Sequence, residues 1–235
     1  MKACVPAIGL AFVLLAAGCS DHRDTTDPRD PDRVHVAAAQ RGDRDAAKLT
    51  LVSGATTVTA RAEDLGDDLY RISTPDNSQL TPDVVESGDR YEVHLTSTGN
   101  SGPAAVEILL NRDVRWDLRF AGGATETLVD MGAGHLSAVD FSAGSSRIET
   151  ILPKPDGAVT VRMAGGASEF LVKAPQGIPV RVTAGGGAGS VTVDGVRRSG
   201  VAGGTVIAPA GWPESDPRYD VDAVAGVSSL TVSRT

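Results

Sequence analysis

Two cysteines, Cys4 and Cys19, are all that this chain of 235 residues contains, and both lie near its start. Everything after Cys19 therefore lacks a thiol, which excludes disulfides in the folded part and any cysteine-ligated metal. Aromatic residues make up 4% of the chain, too few for the thick core of a compact α/β domain. Lysine is scarce: Lys2, Lys48, Lys154 and Lys173 are the lysines, and arginine carries the remaining positive charge. With a formal net charge of −8, the surface repels nucleic acid and anionic headgroups, and no basic stripe offsets this. Helical periodicity is absent after Leu49, which argues against the two α/β lobes of a solute receptor.

The first hydrophobic run is present and short. Lys2 precedes an apolar stretch from Val5 to Ala17, and small residues lead into Cys19 and Ser20. This is the layout of a secretory signal over 1–18. A membrane span takes roughly 20 residues to cross about 30 Å of hydrocarbon, so the run is no transmembrane anchor. Leu15-Ala16-Ala17-Gly18-Cys19 resembles the bacterial lipobox, with Ala16 where that pattern more often has leucine. The resemblance implies cleavage before Cys19, acylation of its sulfur (palmitate or a similar chain), and anchoring to the cell membrane on its extracytoplasmic face. An ordinary signal peptide is the alternative. Residues 19–48 combine mixed charge with proline and almost no aliphatic clusters, which predicts a disordered tether, with a short helix over 37–47 interrupted at Gly42.

From Leu49 a repeat runs to the end of the chain. Six glycines, Gly54, Gly123, Gly144, Gly166, Gly187 and Gly226, each follow a small residue: Ser53, Gly122, Ala143, Gly165, Gly186 and Ala225. Five and three residues before each glycine stand apolar side chains, as in Leu118 and Phe120, or Val161 and Met163. Four residues after stand Val58, Thr127, Ile148, Phe170, Val191 and Leu230. The spacings from Gly123 to Gly187 are 21, 22 and 21 residues. Alternation with a period of two predicts half-buried strands, and the small-Gly pair predicts a sharp bend between them.

Each unit of about 21 residues is thus strand, bend, strand, turn. The predicted fold is all-β, a single-domain β-solenoid over 49–235, irregular at 65–112 and regular at 113–235. An antiparallel β-sandwich is the alternative, with the same bends as hairpins. Between Gly187 and Gly226 the period is broken by an insert over 195–220 that holds Arg197, Arg198, Trp212 and Tyr219. Long loops on a rigid scaffold commonly carry recognition, so these four residues are the candidates for partner contact. The insert is otherwise a cap, because the final strand, 228–233, would leave an open edge.

The stretches LTLVSGATTVTAR, DVRWDLRFAGGATETLVDMGAG and VAGVSSLTVSRT resemble the toast-rack and adhesin-like β-strand-repeat family of bacterial envelope proteins. The resemblance implies a β-helix-like domain outside the cytoplasmic membrane, with a structural, adhesin-like or envelope-stress-related role, an envelope or cell-wall partner, and no catalytic residues.

Motifs for chemistry are sparse. His22, His35, His94 and His135 are far apart, and no pair has metal-ligand spacing. Gly185 to Gly189 is followed by a strand and not by the helix a phosphate cradle needs, so it reads as a bend. Glu63-Asp64 with Asp67-Asp68 is the densest acidic cluster and lacks calcium-loop spacing. No cofactor and no metal are expected. The expected function is that of a non-catalytic envelope lipoprotein, with a polysaccharide-degrading β-helix enzyme as the alternative.

Overall fold

Apolar residues five and three positions before each repeat glycine form one strand, and those four and six after form the next. The computed structural model describes residues 35–212 and 217–235. The expected signal, Cys19 and the first part of the tether lie outside the described residues.

The strands form two facing sheets of ten and nine strands. A coil is one strand in each sheet. The six repeat coils are β2 (Ala46–Leu51) with β3 (Ala55–Glu63), β8 (Arg115–Phe120) with β9 (Ala124–Asp130), β10 (His135–Phe141) with β11 (Ser145–Ile151), β12 (Ala158–Met163) with β13 (Ala167–Ala174), β14 (Val180–Ala184) with β15 (Ala188–Val193), and β18 (Arg218–Ala223) with β19 (Val227–Arg234). The irregular region supplies a further coil, β6 (Arg90–Ser97) with β7 (Ala105–Asn111). Like strands of neighbouring coils pair in parallel. Stacked coils, not hairpins, therefore build the body, and the solenoid expectation holds over the sandwich.

Among the described residues, antiparallel strands appear only at the ends. β1 (Val36–Gln40) and β4 (Asp68–Ser73) extend one sheet beyond β7, and β5 (Leu80–Ser87) covers β6 on the other. At the opposite end β16 (Val196–Val201) pairs with β15, and β17 (Thr205–Ile207) pairs with β14. The strands begin at Val36, inside the stretch expected to be a tether. The expected helix over 37–47 is instead two strands, because His35 and the alternate alanines find a sheet to pair with. His35 is buried and hydrogen-bonds Thr74 Oγ1 through Nδ1 at 2.8 Å. That hydroxyl donates to the Leu80 carbonyl at 2.8 Å, so His35 Nδ1 is the donor of the pair.

The coils do not stack in chain order. In space they run β6/β7, β2/β3, β8/β9, β10/β11, β12/β13, β18/β19, β14/β15. At each end the outermost two coils are exchanged. The last strand, β19, lies between β13 and β15. This corrects the expectation that 228–233 forms an open edge: the edge needing cover belongs to β14/β15, and the insert covers it on both sheets.

The core lies between the sheets. One ladder runs Val93, Leu51, Phe120, Phe141, Met163, Ala223, Ala184, and all seven are buried. The facing ladder runs Val106, Val58, Thr127, Ile148, Phe170, Leu230, Val191. Phe120 stacks on Phe141 with centroids 5.4 Å apart, and Phe141 meets Phe170 edge-on at 5.9 Å. Bulk is shared across the core: Thr127 faces the coil of Phe120, and Leu230 and Val191 face those of Ala223 and Ala184. A stack of even thickness needs this compensation, since packed interiors leave few voids.

Candidate functional site

The expected contact residues separate in the structure. Tyr219 is fully buried at the level of Val159 and Val180, and its hydroxyl donates to the Pro153 carbonyl. Burial raises its pKa above the ordinary phenol value. It is a core residue and no surface contact; the exchanged coil order gives it neighbours on both sides. Arg197 and Arg198 are exposed on β16. Trp212 is half-buried, with the Arg181 guanidinium 4.9 Å from its ring centroid, within cation–π range. Arg181 is in turn held by Asp220 Oδ1 at 2.6 Å.

These residues border the insert end of the stack, where an open cleft of about 1000 Å³ lies between Gln176–Pro179, Asp194–Gly195, Pro209–Gly211 and Arg234. A smaller pocket of about 200 Å³ adjoins it, lined by Val180, Val193, Val196 and Ile207 together with the charged Asp194, Arg198 and Arg234. Arg234 ties its floor together. Nε and Nη2 bond both carboxylate oxygens of Asp194 at 2.7 and 2.8 Å, and Nη1 donates to the Ile178 carbonyl at 2.7 Å. The hydrogen bond from Arg234 holds the Asp194 carboxyl below its ordinary value, against the opposing effect of burial. Asp194 has φ 49° and Gly195 φ 81°, the positive pair of a two-residue type I′ hairpin.

Asp-Gly between two strands is a legible hairpin signal, and Asp194-Gly195 stands between β15 and β16. The role of Arg234 was not legible, because its partners are 40 and 56 residues away.

The other candidates are occupied by local pairings. In the acidic cluster Asp64 binds Arg112 at 2.8 Å, and Asp68 binds Arg71 at 3.0 Å and Gln40 at 2.6 Å. His135 approaches Asp156 at 3.2 Å, and Arg115 reaches the same oxygen at 3.3 Å. His94 stands 3.9 Å from Glu92. Among the described residues no group of three or more His, Cys, Asp or Glu is placed to hold a metal ion.

No family model and no curated protein matches the chain. Among solved structures, the chain is similar to a "putative cell adhesion protein" from Clostridium sporogenes, with a TM-score of 0.66 and 17% identity, covering 85% of this chain and 98% of that one. The fold is shared. Two further structures, each described as a "putative adhesin", from Bacteroides fragilis and Parabacteroides distasonis, align at TM-scores of 0.26 and 0.23, with 10% and 8% identity. They cover 84% of this chain and 97% of their own, and at those scores nothing rests on them.

Proposed function

We propose that this protein is an extracytoplasmic lipoprotein, anchored to the cell membrane through acylated Cys19, whose non-catalytic β-repeat domain makes adhesin-like contacts with another envelope component. Two observations support the reading. The segment ending at Cys19 is lipobox-like. The observation that carries the adhesion part is the match, over nearly the whole domain, to the fold of a protein described as a cell adhesion protein. The domain suits the role physically, because stacked coils form a rigid body whose stability is shared among nearest neighbours. Contact surfaces then sit on strands and tight turns that do not reorganise.

Replacing Cys19 by Ser and fractionating cells tests the anchor. The expected result is release of the protein from the membrane fraction, or accumulation of an uncut precursor. Wild-type processing and membrane retention of the Cys19→Ser chain would contradict the anchor.

A further inference from the structure

Two sheets that do not close on themselves leave four edges, and three of them are blocked. β1 is five residues long, and its register shifts between Ala39 and Gln40. β5 contains Pro82, which has no N–H to give. β17 has three residues. Short strands, bulges and prolines are the usual devices against unwanted pairing. β16 is different: Val196–Ser199 runs in register with β15 and has no proline, and only at Gly200 does the backbone leave the extended region, with a φ of 63°. Five of its six residues are exposed, Val196 to 65%.

The two-residue loop makes Val193 and Val196 the closing hydrogen-bonded pair of the hairpin. The N–H and C=O groups of Arg197 and Ser199 therefore point away from β15. Side chains alternate. Val196 and Arg198 lie on the core side, level with Val193 and Val191, and line the smaller pocket. Arg197 and Ser199 lie on the outer side, level with Thr192 and Ser190. Neither Arg197 nor Arg198 has an ion-pair partner among the described residues, on a chain of formal net charge −8.

We infer that β16 is a strand-addition site for an extended segment of a partner protein that alternates apolar and acidic residues. The backbone ladder supplies affinity, the valine-lined pocket on the core side takes alternate side chains, and Arg197 on the outer side selects acidic ones. A second copy of this edge is a poor occupant, because pairing β16 with β16 brings four arginines together. Position fits the contact role proposed above, on which this inference rests. β16 and β1 are the two outermost strands of a ten-stranded sheet. At about 4.8 Å per strand they stand roughly 43 Å apart. The chain enters the described fold at the β1 end and presents β16 at the other.

The test is fluorescence anisotropy on the mature chain in detergent micelles, with labelled octapeptides at low salt. The probes are alternating Val-Glu, alternating Val-Lys, and Val-Glu with every second amide N-methylated. Val-Glu should bind saturably, with the other two at least about tenfold weaker. Arg197→Glu should reverse the preference to Val-Lys. Ser199→Pro, which removes one outward donor, should weaken Val-Glu at least about tenfold with an unchanged circular dichroism spectrum. Should Ser199→Pro perturb the fold, the N-methylated peptide carries that arm alone. Equal binding of the Glu and Lys peptides overturns the acidic partner. Indifference to N-methylation overturns strand addition, and absence of Val-Glu binding overturns the site. The anchor is read separately: peptide binding by a chain that fractionates as soluble would remove the anchoring and keep the site.

Discussion

Gly165 has no room for a side chain. A Cβ there would lie 2.0 Å from the carbonyl carbon of Ala143 and 2.2 Å from its oxygen. Gly122 stands in the same relation to Ser53, and Gly186 to Ala225. In spatial order the residues before the repeat glycines are Ser53, Gly122, Ala143, Gly165, Ala225, Gly186, so a residue with Cβ alternates with one without. In chain order the alternation fails at Gly165, Gly186, Ala225, and the exchanged coils restore it. Gly165→Ala must displace backbone and should cost about 2–4 kcal/mol. For a domain of this size that is a fall in melting temperature of at least about 4 °C. Gly123→Ala meets only a carbonyl oxygen at 3.3 Å, at a backbone angle open to alanine, and should cost no more than about 1 kcal/mol. Equal melting shifts for the two variants would contradict the nested bends. The smallness of these positions was legible in the sequence; which of each pair had to be glycine was not, because that depends on the neighbouring coil.

At the scale of the element, strand facing was the most legible feature. Phe170 is fully buried and Glu169 exposed, as a period of two requires. Glu169 instead meets Arg147 of the next strand, which also holds Glu149 at 3.0 Å. Less legible were β1 and the first residues of β2, because VAAAQ and Ala46-Ala47 carry little bulk and become strands only by pairing with β4 and β8. The β15–β16 hairpin yields a prediction of its own. Asp194 is bound by Arg234, and its folded pKa lies below the ordinary carboxylate value. A depressed carboxylate pKa stabilises the fold above the ordinary value, and the contribution is lost as pH falls through the folded value. Asp194→Asn keeps a residue type that tolerates positive φ while removing the charge. It should melt below wild type at pH 7, and the gap should close as pH falls below about 4. A gap unchanged from pH 7 to 3 would show that the ion pair is not its cause.

For the molecule as a whole, the period alone could not reveal the order of the coils. A repeat specifies which residues are equivalent, and any permutation of equivalent coils buries the same ladder. The order is decided by features that differ between coils. Arg162 meets Asp140 at 3.2 Å on one side and is level with Asp222 on the other. Arg181 meets Asp220, and Tyr219 fills the level between Val159 and Val180. Each favours β18/β19 between β12/β13 and β14/β15. The same order holds the insert end in place, since the β14–β17 segment pairs with the rest of the sheets through β18 and β19. The most direct measurement is disulfide formation in a chain carrying Cys4→Ser and Cys19→Ser, which is otherwise free of cysteine. Leu171 and Thr231 are register partners on adjacent strands, as are Thr231 and Thr192. Adjacent parallel strands bring Cα atoms within the roughly 4.4–6.8 Å that a disulfide spans, and strands two apart do not. Leu171→Cys with Thr231→Cys should crosslink under mild oxidation, and Leu171→Cys with Thr192→Cys should not. Crosslinking of Leu171→Cys with Thr192→Cys, and none with Thr231→Cys, would mean that the coils stack in chain order and would contradict the exchanged architecture.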